Sequence, residues 1–296
     1  MSVSPLVTIG LPVFNRERFI RQSIESLLNQ TFRDFDLIIS DNASTDNTGK
    51  ICEEYARKDS RVRYFRNAEN IGNPRNFNRV FSLSQSPYLK WSTSDDYWAP
   101  TMIERALEVM EADRSIALCY PKTILVDQEG ENPRPYEDNL HLVGDDPKER
   151  FIQLLSQIRL AHQHTGLIRA ESLSRTHMLG DYPGSDVVLL AELTLYGKFF
   201  EIPERLYFRR FHEESGSWLR NSREHQARFY LSANSKVCMN RWRRYLGLMS
   251  AVHTAPVGLR DRWLLYSYVG RLMRWDRNAL VDEVAGQLKI LVAPRR

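Results

Sequence analysis

The sequence predicts an α/β fold, with a mixed, mostly parallel sheet flanked by helices and a helical extension behind it. Three observations carry this. Short β-rich apolar runs alternate with helical patterns through the first third of the chain, and the segments between them are long enough for crossover helices. After Trp218 the pattern turns helical and Arg/Trp-rich, without strand signals. A boundary is expected near Gly216, giving an α/β domain over 1–215 and a basic helical region over 216–296.

Leu6–Leu11 reads as the first strand, and Phe19, Ile20, Ile24, Leu27 and Leu28 then fall on one helical face. Asp36–Ser40 is the next strand, followed by a helix turning Ile51, Cys52, Tyr55 and Ala56 inward. Val62–Arg66 repeats the strand signal, and Asn73-Pro74 opens a helix through Phe77, Val80 and Phe81. Tyr88–Thr93 is a strand, Thr101–Ala112 a helix and Ile116–Tyr120 a strand. The polar, Pro-rich text of 128–146 predicts a loop or irregular strands. A helix over Pro147–Gln157, a short strand over Gly166–Arg169 and a helix over Val187–Leu195 follow. In parallel sheets ligands bind beyond the carboxyl ends of the strands. Three loops therefore stand out: Pro12–Arg16, Asp41–Asp46 and Ser94–Asp96.

The 296 residues, 42% hydrophobic and 26% charged, exclude disorder and fibrous repeats. Three cysteines without C-x-x-C spacing suggest neither a disulfide framework nor a zinc site, and a reducing compartment is expected. No apolar run reaches the roughly 18 residues of a membrane span, and the start has no basic segment before an apolar one, so a cytoplasmic setting is expected. Charge is unevenly spread. From Gly216 onward there are 15 Lys and Arg against five acids, whereas the rest carries 26 basic and 32 acidic residues. Such a tail attracts anions: nucleic acid, an anionic membrane surface or an anionic substrate.

Asp41 and Asp46 follow the second strand, and Asp95 and Asp96 the fourth. Adjacent acids at a strand end repel unless a cation relieves them, and a hard cation takes one or two carboxylates and leaves its other positions to phosphate and water. The plainer role for Asp46 is to cap the helix after it, and for Asp95-Asp96 to form a turn. Asp186 has two roles open: a carboxylate that takes a proton, or a helix cap.

Five ordered segments, Thr8–Glu17, Ser26–Thr31, Ser40–Thr48, Asn70–Asn76 and Ser94–Asp96, resemble the family-2 glycosyltransferases of the GT-A, Rossmann-like fold over about the first 120 residues, and more weakly to about His212. The resemblance implies that Pro12, Phe14, Asn15 and Asp41 hold the base and ribose of a nucleotide-diphospho-sugar, with Arg75 approaching the base or diphosphate. Ser94-Asp95-Asp96 occupies the place of the family's D-x-D motif with a serine at its first acidic position. The metal, Mn²⁺ or Mg²⁺, is therefore expected on Asp96, with Asp95 on ribose or a supporting contact. Asp186 is the expected base. His212 matches a position that reaches metal or diphosphate, although a solvated or hydrogen-bonded imidazole is an equally open reading. Arg209 and Arg210 are candidates for diphosphate charge, Arg210 and His164 also for the acceptor side, with His162 beside them.

The resemblance thus implies an inverting, metal-dependent hexosyltransferase that uses a nucleotide-sugar, expected to be a UDP-sugar, and extends a saccharide or lipid-linked acceptor in cell-surface polysaccharide synthesis. Absence of a Gln-x-x-Arg-Trp pattern in the tail favours non-processive transfer. The tail is expected either to rest on an anionic bilayer from the cytoplasmic side or to form a helical bundle with a solvated positive face, and no nucleic acid partner is expected. A nucleotidyltransferase would show a Gly-rich loop where Pro12–Arg16 has no glycine, and a dehydrogenase a G-x-G-x-x-G that is missing. A non-catalytic nucleotide-sugar or nucleic-acid binding protein is the alternative of a different class.

Overall fold

The computed structural model describes residues 4–212, 229–230 and 239–292. The expected boundary at Gly216, Trp218 and Cys238 lie outside the described residues. In chain order the elements are β1 (Val7–Val13), α1 (Ile20–Leu28), β2 (Phe35–Asp41), α2 (Thr48–Lys58), β3 (Val62–Arg66), α3 (Asn73–Leu83), β4 (Tyr88–Trp91), β5 (Tyr97–Trp98), α4 (Met102–Ala112), β6 (Ile116–Val126), β7 (Arg134–Tyr136), α5 (Pro147–Gln157), a 3₁₀ turn (His162–Thr165), β8 (Leu167–Arg169), α6 (Ala170–Ser174), α7 (Ser185–Thr194) and β9 (Lys198–Arg210). The helices α8 (Asn240–Thr254), α9 (Leu259–Trp275) and α10 (Arg277–Val292) follow.

The strands form one sheet in the order β3-β2-β1-β4-β8-β6-β9-β5, with β7 added to β6. Strands β3, β2, β1 and β4 run parallel, β8 is antiparallel to both its neighbours, and β6 runs parallel to β9. Every residue of β1 is buried. Helices cover both faces of that half of the sheet, so its central strands read as continuous apolar runs rather than alternating ones. One core layer packs α1, α2 and α4 through Ile24, Leu27, Cys52, Ile103 and Met110. The other packs α3, α5, α7 and the C-terminal helices through Val80, Phe151, Leu190, Leu248, Val269 and Leu280, so the basic extension shares a core with the α/β body. Among the described residues no helix is long and apolar enough to cross a membrane.

The elements expected from periodicity are present, with four differences. β4 stops at Trp91 rather than Thr93, which frees residues 92–96 to turn. β6 continues past Pro121 to Val126, and β9 replaces the loop expected around Phe208–His212, so Arg209 and Arg210 are strand residues. Both strands carry a proline that breaks the alternating pattern, and the structure absorbs these at one irregularity: pairing passes from Pro121↔Ile202 to Lys122↔Arg205. Finally, α7 starts at Ser185, capped by Gly184 in the left-handed region (φ 87°). Asp186 is therefore in the first helical turn, where its carboxylate favours the helix dipole, and it is not the cap residue.

Gly10 sits where α3 crosses β1, and a Cβ there would lie 2.1 Å from Val80 Cγ1. Gly10→Ala should therefore cost about 1–3 kcal/mol by overpacking. Adding Val80→Ala should recover part of that loss, which equilibrium urea unfolding of the single and double variants would measure.

Candidate active site

The site grows from the edge where β1, β2 and β4 end together. Two loops meet there and are laced by side chains. Asn15, in the left-handed region (φ 50°), accepts from the Thr45 amide at 2.8 Å on its side-chain oxygen and donates its own backbone N–H to Ser44 Oγ at 3.0 Å. The Arg16 amide donates to Thr48 Oγ1 at 2.7 Å. Pro12 is buried on β1 opposite Ser40, and Phe14 is half-buried in the loop beyond it. Asp41 is fully buried, and donors meet both of its oxygens: the Ser44 amide at 2.8 Å, the Tyr64 hydroxyl at 2.7 Å and Arg66 Nη1 at 2.6 Å. Asp46 accepts from the Thr48 amide at 2.9 Å, which fits the capping role.

The segment Asn70–Asn76 acquires a structural explanation. Asn42 accepts from Asn67 and from the Ile71 amide, both at 2.9 Å, and donates to Asn70 at 2.7 Å. Asn76 donates to the Ser40 carbonyl at 2.7 Å and accepts from the Ser40 hydroxyl at 2.7 Å. This lattice fastens the start of α3 to the end of β2. Arg75, exposed on the first turn of α3, leans toward Asp181 at 3.7 Å, in the loop leading to α7.

The two acids after β4 have different surroundings. Asp96 is buried and surrounded by donors: the Thr93 and Tyr207 hydroxyls on Oδ2 and the Arg210 amide on Oδ1 at 2.7 Å. Burial, then the charge of Asp95, pushes its carboxyl up to about 6. Asp95 is less enclosed and turns Oδ2 to His212 Nε2 at 2.9 Å, with Arg16 Nε at 3.9 Å. Burial raises its carboxyl, but His212 and Arg16 outweigh that and leave it below the ordinary value. Asp95 thus keeps partial exposure beside a buried His212, while the oxygens of Asp96 accept from Thr93, Tyr207 and the Arg210 amide. Arg210 belongs to the same network. It is buried, donating from Nε to the Asp95 carbonyl at 2.9 Å and from Nη1 to the Gln128 carbonyl at 2.7 Å.

Arg209, on the opposite face of β9, is held from behind. Its Nη1 lies 2.9 Å from His162 Nδ1, and a guanidinium can only donate, so Nδ1 accepts and Nε2 carries the proton. Nε2 meets buried Asp138 at 2.9 Å and the Thr123 hydroxyl at 2.9 Å. The charge of Arg209 reaches Asp96 and His164 alike. His164 is half-buried, with its ring edge-on to Phe77 and Trp91. Burial holds it below the usual imidazole range against the pull of Asp186, whose charge also reaches it. Asp186 itself is half-buried, and its Oδ1 accepts from the Val187 amide at 2.9 Å.

With this geometry, residues 8–176 match the family Glycosyl transferase family 2. The chain belongs to that family. Asp186, Arg209, Arg210 and His212 lie beyond the matched residues. Among curated relatives, this family-2 chain is 28% identical over 173 residues to the putative teichuronic acid biosynthesis glycosyltransferase TuaG of Bacillus subtilis, covering 57% of this chain and 67% of that one. It is 30% identical over 128 residues to an uncharacterised glycosyltransferase of Methanocaldococcus jannaschii and 34% identical over 126 residues to the chondroitin synthase of Escherichia coli. Each match covers 43% of this chain, but only 44% and 18% of those two relatives. The fold is that of GT-A glycosyltransferases. Residues 1–349 of S. aureus TarS in complex with UDP-GlcNAc superpose with a TM-score of 0.67 at 15% identity, covering 96% of this chain and 81% of that one. The mannosyltransferase PcManGT of Pyrobaculum calidifontis, in complex with GDP-Man and Mn²⁺, superposes at 0.54 and 14%, covering 98% and 88%.

A metal of the kind the family implies fits the donors here. One carboxylate and one imidazole 2.9 Å apart leave room for phosphate oxygens and water, and such a mixed set suits Mn²⁺ better than Mg²⁺. Among the described residues no group of three or more His, Cys, Asp or Glu side chains could enclose an ion without the substrate's help.

Sequence reasoning missed Tyr207, Asp138 and Lys90. Lys90 lies fully buried beneath the site, 3.2 Å from the Thr165 carbonyl and 3.1 Å over the Trp98 ring, and burial drives its pKa well below the ordinary value. An alternating strand with one lysine carries no signal of that. The buried network makes a checkable claim through His162, which burial holds below the usual value despite its bond to Asp138. The unfolded chain takes up this proton near pH 6.5 and the folded one only at lower pH, so stability falls as pH drops through that window, by up to ~1.4 kcal/mol per unit. Asp96 acts with the opposite sign, since its raised carboxyl costs stability as pH rises through about 6. Subtracting urea-unfolding profiles of His162→Gln from the wild type isolates the histidine, and the difference should shrink toward acid pH.

Proposed function

We propose that this chain is an inverting glycosyltransferase that moves one sugar at a time from a nucleotide-diphospho-sugar to a saccharide or lipid-linked acceptor in cell-surface polysaccharide synthesis. The observation that carries the reading is the Asp95–His212 pair, with Arg16 of the first laced loop 3.9 Å from Asp95, together with the charge-linked set of Arg209, His164 and Asp186. The nucleotide-sugars bound to TarS and PcManGT support a donor of that class, and UDP-sugars are the first to test. Pro12, Phe14, Asn15 and Asp41 form the nucleotide side. Asp41 gives its oxygens to Tyr64, Arg66 and Ser44, so its contribution is the shape of the loop more than a direct contact.

Asp95 and His212 would hold Mn²⁺ or Mg²⁺, which supplies Lewis-acid stabilisation of the leaving diphosphate. Arg16 and Arg209 add fixed positive charge on either side of it. Asp186 takes the proton of the acceptor hydroxyl. The acceptor hydroxyl oxygen forms a bond to the anomeric carbon from the face opposite the diphosphate, and the bond between that carbon and the diphosphate oxygen breaks, its electron pair leaving on the diphosphate. His164, kept neutral by burial, is placed to orient the acceptor.

Two variants test this. Folded Asp186→Asn should bind donor and metal as the wild type does and transfer sugar at least about a hundredfold more slowly. Asp95→Asn should lose the metal-dependent part of nucleoside diphosphate binding in calorimetric titration, whereas Asp96→Asn should lower stability and, where folded, retain it. The reverse result would return the metal role to Asp96. Release of free nucleoside diphosphate only when an acceptor is present separates the enzyme from a non-catalytic binder.

A further inference from the structure

The C-terminal helices pack their apolar faces into the shared core, yet α9 keeps a second face that is exposed among the described residues. Leu265, Tyr268 and Val269 point inward. Arg260, Trp263, Leu264, Ser267, Arg271, Arg274 and Trp275 are exposed, at spacings of three, four, seven, eleven, fourteen and fifteen residues that trace one side of a helix. Trp263 is 71% exposed, Trp275 69%, Leu264 50% and Leu259, at the start of the helix, 74%. Large aromatic side chains left so bare on a helix that buries its other face are unusual, and an apolar patch of this kind marks an interaction surface.

The charges around it are sorted. The acids of this stretch turn toward the body: Asp261 pairs with Lys148 at 2.9 Å, and Asp276 accepts from the Tyr245 hydroxyl at 2.7 Å. The exposed face therefore carries arginines without acids. Arg271 lies over Trp275 at 5.8 Å and over Tyr268 at 5.1 Å. The two tryptophans, twelve residues apart, stand about 18 Å from each other along the axis.

We propose that the outer face of α9 docks on an anionic lipid bilayer, with Trp263, Trp275, Leu259 and Leu264 in the headgroup boundary and Arg260, Arg271 and Arg274 on lipid phosphates. Tryptophan settles at that boundary, and arginine beside it gains from anionic lipid. A second copy of the chain fits poorly, because a symmetric contact would set this arginine face against itself. Nucleic acid would satisfy the arginines but offers nothing to the exposed leucines. The docking is independent of the chemistry proposed above and is tested without turnover.

The test is co-sedimentation of the full chain with vesicles of phosphatidylcholine alone or with about a third phosphatidylglycerol, together with quenching of tryptophan emission by brominated lipid. At low salt the chain should bind the anionic vesicles, with quenched and blue-shifted emission, and release as salt rises. Trp263→Ser with Trp275→Ser should abolish the quenching. Arg271→Gln with Arg274→Gln should weaken partition about thirty-fold while leaving the fold intact at these exposed positions. Failure to bind anionic vesicles at low salt would overturn the proposal. So would binding that neither double variant alters, or a solution dimer that buries both tryptophans and ignores lipid.

Discussion

A carboxylate buried at a sheet edge must be surrounded by donors, and the site of this chain is organised around the ones that Asp96 collects. Thr93 belongs to the turn after β4, Tyr207 and the Arg210 amide to β9, so a single side chain ties two distant strands together. That tie fixes β5 against β9, where Tyr97 stacks on Phe208 and Trp98 on Tyr207. It also sets Arg210 across the Asp95 carbonyl and the Gln128 carbonyl, closing the edge of the cleft. Asp95, its neighbour, instead pairs with buried His212 at 2.9 Å and has Arg16 at 3.9 Å. The same rule holds one strand over, where Asp41 draws Tyr64, Arg66 and Ser44 around it.

Much of this was legible in the residues. The apolar runs of β1 and β2 and the Asn73-Pro74 helix start are written locally, because burial on both faces and capping chemistry leave direct marks. The positions of Asp41, Asp95 and Asp96 at strand ends followed from the same pattern. What adjacency in sequence could not tell was which of two neighbouring acids would be consumed by the fold. That depends on Tyr207 and Arg210, more than a hundred residues away on a strand whose proline hid it. The buried chain from Asp138 through His162 to Arg209 is likewise assembled from β6, β9, the 3₁₀ turn and the segment after β7. The opening of α7 shows a finer limit: a glycine cap in the left-handed region shifted the start by two residues and turned Asp186 from a cap into a carboxylate of the first turn.

The basic tail was visible as a charge imbalance, but composition left its two readings, bundle and membrane surface, equally open. Packing bears on the bundle reading. The inward side chains of α8, α9 and α10 complete the core against α5 and α7, while Asp261 and, just past the helix, Asp276 pair inward and Arg260, Arg271 and Arg274 are exposed. Segregation of charge across one helix is a property of the fold rather than of the sequence count.

The central claim is that Asp95 and His212, not Asp96, meet the cation that accompanies the nucleotide. The most direct measurement is pulsed electron paramagnetic resonance of Mn²⁺ bound with the nucleoside diphosphate that the chain holds most tightly. The account predicts electron spin echo modulation from one imidazole nitrogen, altered by ¹⁵N-histidine labelling and lost in His212→Gln. Mn²⁺ bound with nucleotide but showing only phosphate and water couplings, unchanged in His212→Gln and in Asp95→Asn, would contradict it.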